Sequence, residues 1–188
     1  MGYLSESALR DMNFKSLGRG VRISDKASIY NAELMDIGDY SRVDDFCILS
    51  GKVSIGRYCH VTPMCLIAGG QPGVELRDFC TLAYGVKVFA QSDDYSGETM
   101  VNSLVPRKYK RERFAPVLLE RQVIVGTNSV IFPGITVAEG CAIGAMALVA
   151  KSTDPWGIYV GSPARWLKAR KKDLNDLESR FLQEEEDA

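Results

Sequence analysis

One histidine, one aspartate pair and one basic cluster carry the chemistry of this chain. His60 is the lone histidine, and an imidazole that titrates near neutral pH suits the acceptance of a proton from a nucleophile. Asp93 and Asp94 are adjacent in Ser92-Asp93-Asp94-Tyr95-Ser96-Gly97-Glu98. A carboxylate there would attract an ammonium or orient a hydroxyl; the alternative is that either aspartate caps a turn. Arg165, Lys168, Arg170, Lys171 and Lys172 form a local basic cluster, with a solvated helix face as the reading favoured for Arg170 to Lys172. One histidine cannot build a three-histidine zinc site, and no Cys-x-x-Cys or His-x-x-x-His spacing occurs, so no metal is expected.

The chain around these residues has 188 positions, 46% of them apolar and 25% charged, as in an ordinary soluble single domain. Lys and Arg number 23 against 24 Asp and Glu, a balance that argues against nucleic acid as a partner. The opening Met1-Gly2-Tyr3-Leu4-Ser5-Glu6 has no basic or apolar leader region, and its Glu6 stands where a myristoylation signal needs Ser or Thr. A reducing cytoplasm with free thiols is the expected compartment. From Val123 to Ala150 the only charge is Glu139, which mimics a membrane span. Its polar residues, four glycines and strict period argue for another reading, and no membrane span is expected.

That period is six. From Val125 the chain reads VGTNSV, IFPGIT, VAEGCA, IGAMAL, VAKSTD, and the same template fits from Ile37, Val43, Ile55, Val61, Leu76 and Leu82. Each hexad starts with an aliphatic, and a small residue usually holds the fifth place. Six residues make one short strand and a turn, so alternation points the first and fifth places inward. Three hexads close a triangular coil of eighteen residues, the spacing from Ile37 to Ile55 and from Val125 to Ile143. Such a coil buries its interior only by stacking on its neighbours. Cys47, Cys59, Cys65, Cys80 and Cys141 all hold fifth places. They are expected inside as small apolar residues, which sets aside a catalytic cysteine. His60 holds a sixth place and should point outward.

The period breaks in three places. Ala68-Gly69-Gly70-Gln71-Pro72-Gly73 makes the spacing from Ile55 to Leu76 twenty-one, so three residues should bulge out, as a corner turn or as the edge of a site. Leu76 to Val125 is forty-nine, one coil plus an extruded loop between about Gln91 and Arg121; a loop this long is usually functional or disordered. The coils end after Asp154. Ser5 to Met12 reads as a short helix covering the first coil. Leu174, Leu177 and Phe181 place a C-terminal helix against the coils, and Glu184 to Asp187 oppose its dipole, so its end should fray.

The hexads resemble those of the hexapeptide-repeat acyltransferases, from roughly Val21 to Arg170, and Asp154-Pro155-Trp156-Gly157-Ile158-Tyr159-Val160-Gly161-Ser162-Pro163-Ala164-Arg165 is similar to that family's closing signature. The resemblance implies an all-β fold, a left-handed parallel β-helix; handedness rests on the resemblance alone, since the usual crossover rule is right-handed. The division expected is residues 1–20 as a helical cap, 21–165 as the β-helix with its loop at 91–121, and 166–188 as a helix with an acidic tail.

The resemblance also implies acyl transfer from acetyl-CoA to an amine or hydroxyl. By position, Gly126, Thr127, Gly144 and Ala145 match contacts to the pantetheine arm, and Lys151, Arg165 and Lys168 match the phosphate end. Sugar acetyltransferases of the superfamily carry a histidine in the loop, where this chain has Ser92-Asp93-Asp94-Tyr95. His60 and Asp94 are therefore the catalytic candidates, with substrate contacts at Gly70, Asp93, Asp94 and Tyr95. That loop, with Pro155-Trp156-Gly157-Ile158-Tyr159, looks like acetyltransferases of dTDP-4-amino-4,6-dideoxyglucose (viosamine) in surface polysaccharide (O-antigen) synthesis. The nucleotide sugar is then the partner, in a homotrimer with sites between subunits. An O-acetyltransferase and a scaffold without catalysis are the alternatives.

Overall fold

The structure is a computed structural model that describes residues 2–186. Each hexad boundary is a strand of two or three residues, and stacked strands pair in parallel. One face stacks Ile23, Val43, Val61, Leu82, Val125, Ile143 and Tyr159. A second stacks Ile29, Leu49, Ile67, Val88, Ile131 and Val149. The third stacks Leu17, Ile37, Ile55, Leu76, Leu119 and Val137. Each stack is one aliphatic rib of the core, because strand parity turns every first place inward. The result is a parallel β-solenoid of about seven turns, of the left-handed β-helix type.

The fourth place of the hexads makes the corner. Tyr40, Phe46, Tyr58, Met64, Phe79, Asn128 and Met146 all have φ between 55° and 66° there, alongside Gly85, Gly134 and Gly140. Side chains at positive φ are strained, so a stack of them needs compensation. Three of these residues supply it by stacking: Tyr40 on Tyr58 at 5.1 Å and Tyr58 on Phe79 at 5.2 Å between centroids.

The fifth place does more than fill space. All five cysteines are free and buried, and each thiol also donates to a backbone carbonyl of the next coil, as Cys47 does to Thr62 at 3.1 Å and Cys80 to Glu120 at 3.1 Å. Ser41 and Ser129 do the same to Gly56 and Gly144. At these positions the residue is small because the corner is narrow and its donor satisfies a corner carbonyl, whereas Val86, Ile135 and Ala147 fill the same place without a donor.

Of the two internal breaks in the period, the first matches the sequence reading and the second differs from it. Ala68 to Gly73 takes up its three extra residues as bulges, one between Ala68 and Gly70 and two between Gly70 and Val74. It lies within one strand, Leu66–Leu76, that pairs along Ile48–Ile55 from the second face to the third. Gly51 and Gly70 are partners, and a Cβ on Gly69 would lie 1.9 Å from the Lys52 carbonyl, so the extra residues are absorbed by tight backbone contact and an irregular register. The extruded loop is shorter than 91–121. It leaves after Lys87–Phe89, forms an antiparallel ribbon of Gln91–Ser92 with Arg113–Phe114, and re-enters at Val117–Leu119, which pairs with Val74 to Leu76.

At the N-terminal end, α1 (Glu6–Asp11) is capped by Ser5, whose side chain accepts from Ala8 N, and it buries Leu9. Ser16–Leu17 already pairs in the third face, so coil structure begins before residue 21. At the other end Arg165–Ala169 pairs antiparallel to Gly157–Val160 and is exposed along its length. Helix α2 (Leu174–Glu186) follows; Asp187 lies outside the described residues. The expected apolar contact face is only partly right. Phe181 packs edge-on to Tyr58 and Phe79 at 5.1 and 6.3 Å, but Leu177 is 57% exposed. The buried residue is Glu178, engaged by Arg121 and Gln122.

Arg170 is likewise no member of a solvated helix face. Its Nη1 donates to the Gln122 carbonyl at 2.8 Å and the Gly140 carbonyl at 3.0 Å, and burial pushes its pKa below the usual guanidinium range. Arg170→Met should cost about 1–3 kcal/mol, because it leaves corner carbonyls without a donor, and lower Tm by roughly 2–12 °C. Thermal denaturation measures this; an unchanged Tm would refute the clasp.

Candidate active site

The extruded loop folds back over the second face and encloses a cavity of 410 Å³. Its floor is apolar: Leu66, Ala68, Phe89, Phe132 and Pro133. Phe89 and Phe132 follow the inward Val88 and Ile131, so parity turns them outward into this space. The loop wall is polar: Gln91, Ser92, Asp93, Ser103 and Glu112, with Tyr95.

The two aspartates differ in what holds them. Asp94 Oδ1 accepts from Ser96 N at 2.9 Å and its Oδ2 accepts from Thr99 Oγ1 at 2.8 Å. Hydrogen bonds from Ser96, then from Thr99, hold its carboxyl down at about 2. It stays ionised and fastens the loop. The Asp93 carboxylate has no hydrogen-bond or ion-pair partner among the described residues, is exposed, and lines the cavity. An ionised carboxylate without a partner beside an apolar floor is a receptor for a cation.

His60 points outward from the first face, but it lines none of the cavities described in the single chain. Its Nε2 lies 2.8 Å from Oδ2 of Asp44, and Arg42 donates to both Asp44 oxygens at 2.6 and 2.8 Å. Burial pushes the Asp44 carboxyl up, yet the hydrogen bonds from Arg42 and His60 outweigh it and hold it low. The imidazole therefore has a fixed orientation, with one nitrogen engaged.

The other candidates lie apart from the cavity. Gly70 sits where the long strand turns, outside the cavity lining. Gly126 is packed hard: a Cβ there would be 2.5 Å from Ala145 N. Gly144 would meet Val160 Cγ1 at 2.9 Å, so both glycines are required by coil stacking. Thr127 is half-buried and Ala145 exposed beside them. Lys151, Arg165 and Lys168 are exposed at the C-terminal end and have no acidic partner among the described residues, a donor set that fits phosphate. Among the described residues no three His, Cys, Asp or Glu side chains group to hold a metal ion, and no helix is long and apolar enough to cross a membrane.

Comparison with known proteins meets this geometry. The chain is 36% identical over 184 residues to the dTDP-4-amino-4,6-dideoxy-D-glucose acyltransferase of Escherichia coli, covering 96% of this chain and 95% of that one. It belongs to the dTDP-4-amino-4,6-dideoxyglucose acyltransferase family. Among solved structures of that family's kind, AntD, an N-acyltransferase from Bacillus cereus, bound to dTDP and 3-hydroxybutyryl-CoA, superposes with a TM-score of 0.97 at 43% identity, covering 99% of this chain and 100% of AntD. A serine-to-alanine variant of AntD with dTDP-4-amino-4,6-dideoxyglucose and coenzyme A gives 0.96 at 44% identity, over 97% and 98% of the two chains. A scan against models of protein families finds no match.

For a member of this family, several cavity residues went unread in the sequence. Phe89 and Phe132 were detectable in principle, since each is a bulky residue just after an inward first place, where many hexads have Gly or Ala. Glu112 was hidden in the basic run from Arg107 to Arg113. Gln91 and Ser103 carry no signal outside the fold.

Proposed function

We propose that this chain transfers an acyl group from an acyl-CoA to the 4-amino group of dTDP-4-amino-4,6-dideoxyglucose. The observation that carries this reading is the free Asp93 carboxylate on the polar wall of a cavity with an apolar floor. A 6-deoxy sugar has an apolar face for Phe89 and Phe132, and its ammonium fits Asp93. The amine attacks only when neutral, so Asp93 first binds the ammonium and then takes a proton from it. The C–N bond forms as the C–S bond breaks; the second proton of the attacking nitrogen goes to the departing thiolate, giving the CoA thiol, and the proton held by Asp93 passes to solvent. Asp94 fastens the loop. His60 reaches the chemistry only from a neighbouring copy.

The acyl donor fits along the C-terminal coils, its phosphates at Lys151, Arg165 and Lys168 and its arm past Gly126, Thr127, Gly144 and Ala145. We further propose a homotrimer with sites between copies. Phe46, Ile48 and Met64 leave exposed apolar side chains beside the second face, and cyclic closure would cover them. The reaction then runs in the cytoplasm, in keeping with five free buried thiols, and supplies surface polysaccharide.

The test is product mass after incubation with acetyl-CoA or 3-hydroxybutyryl-CoA. The acceptors are dTDP-4-amino-4,6-dideoxyglucose, dTDP-glucose and a simple galactoside. One acyl group added to the amino sugar alone is expected. Gain only on a hydroxyl acceptor would make the chain an O-acyltransferase, and CoA binding with no gain on any would make it a scaffold.

A further inference from the structure

The loop ribbon presents a second carboxylate to the same cavity. Gln91 pairs with Phe114 and Ser92 with Arg113, so the next step of the register sets Asp93 across from Glu112. Like charges placed opposite each other on a ribbon are destabilising. One of the two is neutralised: Lys110 Nζ lies 3.4 Å from Glu112 Oε1, and its side chain is only 6% exposed. No other acid is within ion-pair distance of Lys110 among the described residues. A buried ammonium with a single acidic partner fixes that partner in place. Glu112 thus keeps lone pairs for hydrogen bonding while its charge is offset, whereas Asp93 opposite keeps its full charge. The two carboxylates are suited to different groups on one ligand, an ammonium at Asp93 and a neutral donor at Glu112.

We propose that Glu112, held by Lys110, is a specificity-determining residue that accepts a hydrogen bond from the sugar hydroxyl next to the amine. The assignment rests on the amino-sugar reading above. Neighbouring substituents on a pyranose ring project from adjacent carbons, so a ring with its amine at Asp93 and its apolar face on Phe89 and Phe132 turns its 3-hydroxyl toward the facing strand. Lys110 is a positioning residue and touches no substrate.

The test compares two acceptors, the amino sugar and its 3-deoxy analogue, in steady-state kinetics with acetyl-CoA. The variants are Glu112→Leu, which removes the acceptor at similar size, and the double variant Glu112→Leu with Lys110→Met, which leaves no buried unpaired ammonium. In the wild type, loss of the 3-hydroxyl should lower kcat/KM about 10–100-fold, the size of a hydrogen bond to a charged acceptor. In both variants that ratio should fall to within about threefold of unity, with the loss for the hydroxylated sugar mainly in KM. A merely structural role would lower activity on both acceptors and leave the ratio unchanged, which would overturn the proposal. So would a wild-type enzyme indifferent to the 3-hydroxyl. A wild-type enzyme inactive on every amino sugar would instead overturn the amino-sugar reading on which the proposal stands.

Discussion

Asp93→Asn is expected to lower kcat/KM for the amino sugar about 10²–10⁴-fold, the range for loss of a positioned proton acceptor, with an unchanged melting temperature. The second half follows from the first site observation. Asp93 is exposed and its carboxylate has no partner among the described residues, so asparagine breaks none of the contacts described in the fold. It removes the charge that draws the ammonium and the group that takes its proton. Asp94→Asn should behave differently. Asp94 holds Ser96 and Thr99, so its loss loosens the loop and lowers activity indirectly, with a larger change in loop protease sensitivity than in the slope of the pH profile. The sign of the pH effect follows from its depressed pKa of about 2. The stabilisation from these bonds is complete above the unfolded value near 3.9 and is lost as pH falls through about 2. Any limb of kcat/KM above pH 4 therefore belongs to another group. Steady-state kinetics and pH profiles of both variants decide the matter: near-wild-type turnover by Asp93→Asn with collapse in Asp94→Asn would reverse the two roles.

The difference between these adjacent aspartates marks where reading the sequence stops. Periodicity places the ribs of the core, since Val43, Val61 and Leu82 must all face inward once the six-residue repeat is seen, and their stacked register follows. It places His60 outward by the same parity. It does not say that Asp44, two residues from Arg42, will orient the imidazole across sixteen positions of chain, because that contact is made between coils. The fourth-place corners were half-visible as Gly85, Gly134, Gly140 and Asn128, but Tyr40 and Tyr58 at the same φ hide the rule, since their strain is offset by stacking. In α2, helical spacing selects Leu177 as a contact, whereas Arg121 and Gln122 draw Glu178 inward instead. A hydrophobic pattern cannot foresee a carboxylate that finds its guanidinium on a coil 57 residues earlier (178 minus 121). The loop follows the same logic. Its length marks it as functional, but which of its carboxylates is free depends on Ser96, Thr99 and Lys110 in three dimensions.

Because parity alternates residue by residue, stability and substrate binding should separate between two neighbours, Ile67 and Ala68. Ile67 is fully buried in the second rib, with Leu49 stacked on one side and Val88 on the other. Ile67→Ala should cost about 2–5 kcal/mol from lost burial and a cavity that stacked coils cannot collapse, and lower Tm by roughly 4–20 °C. Ile29→Ala should cost less, since Ile29 is only partly buried and is stacked on Leu49 alone, and a solenoid is stabilised by nearest-neighbour contacts. Below its melting transition, Ile67→Ala should keep its KM for the amino sugar, because its side chain points away from the cavity. Ala68 points the other way and forms part of the cavity floor. Ala68→Leu should raise that KM by about 10–200-fold, the range for a steric change in an apolar pocket, while stability moves by no more than about 0.5 kcal/mol. Denaturation curves and initial rates on the three variants measure both quantities. The opposite pattern, with Ala68→Leu unfolding the chain and Ile67→Ala weakening only substrate binding, would mean that the register of this strand is shifted by one residue. Such a slip would turn Leu66 and Ala68 inward together and take their part of the apolar floor out of the cavity.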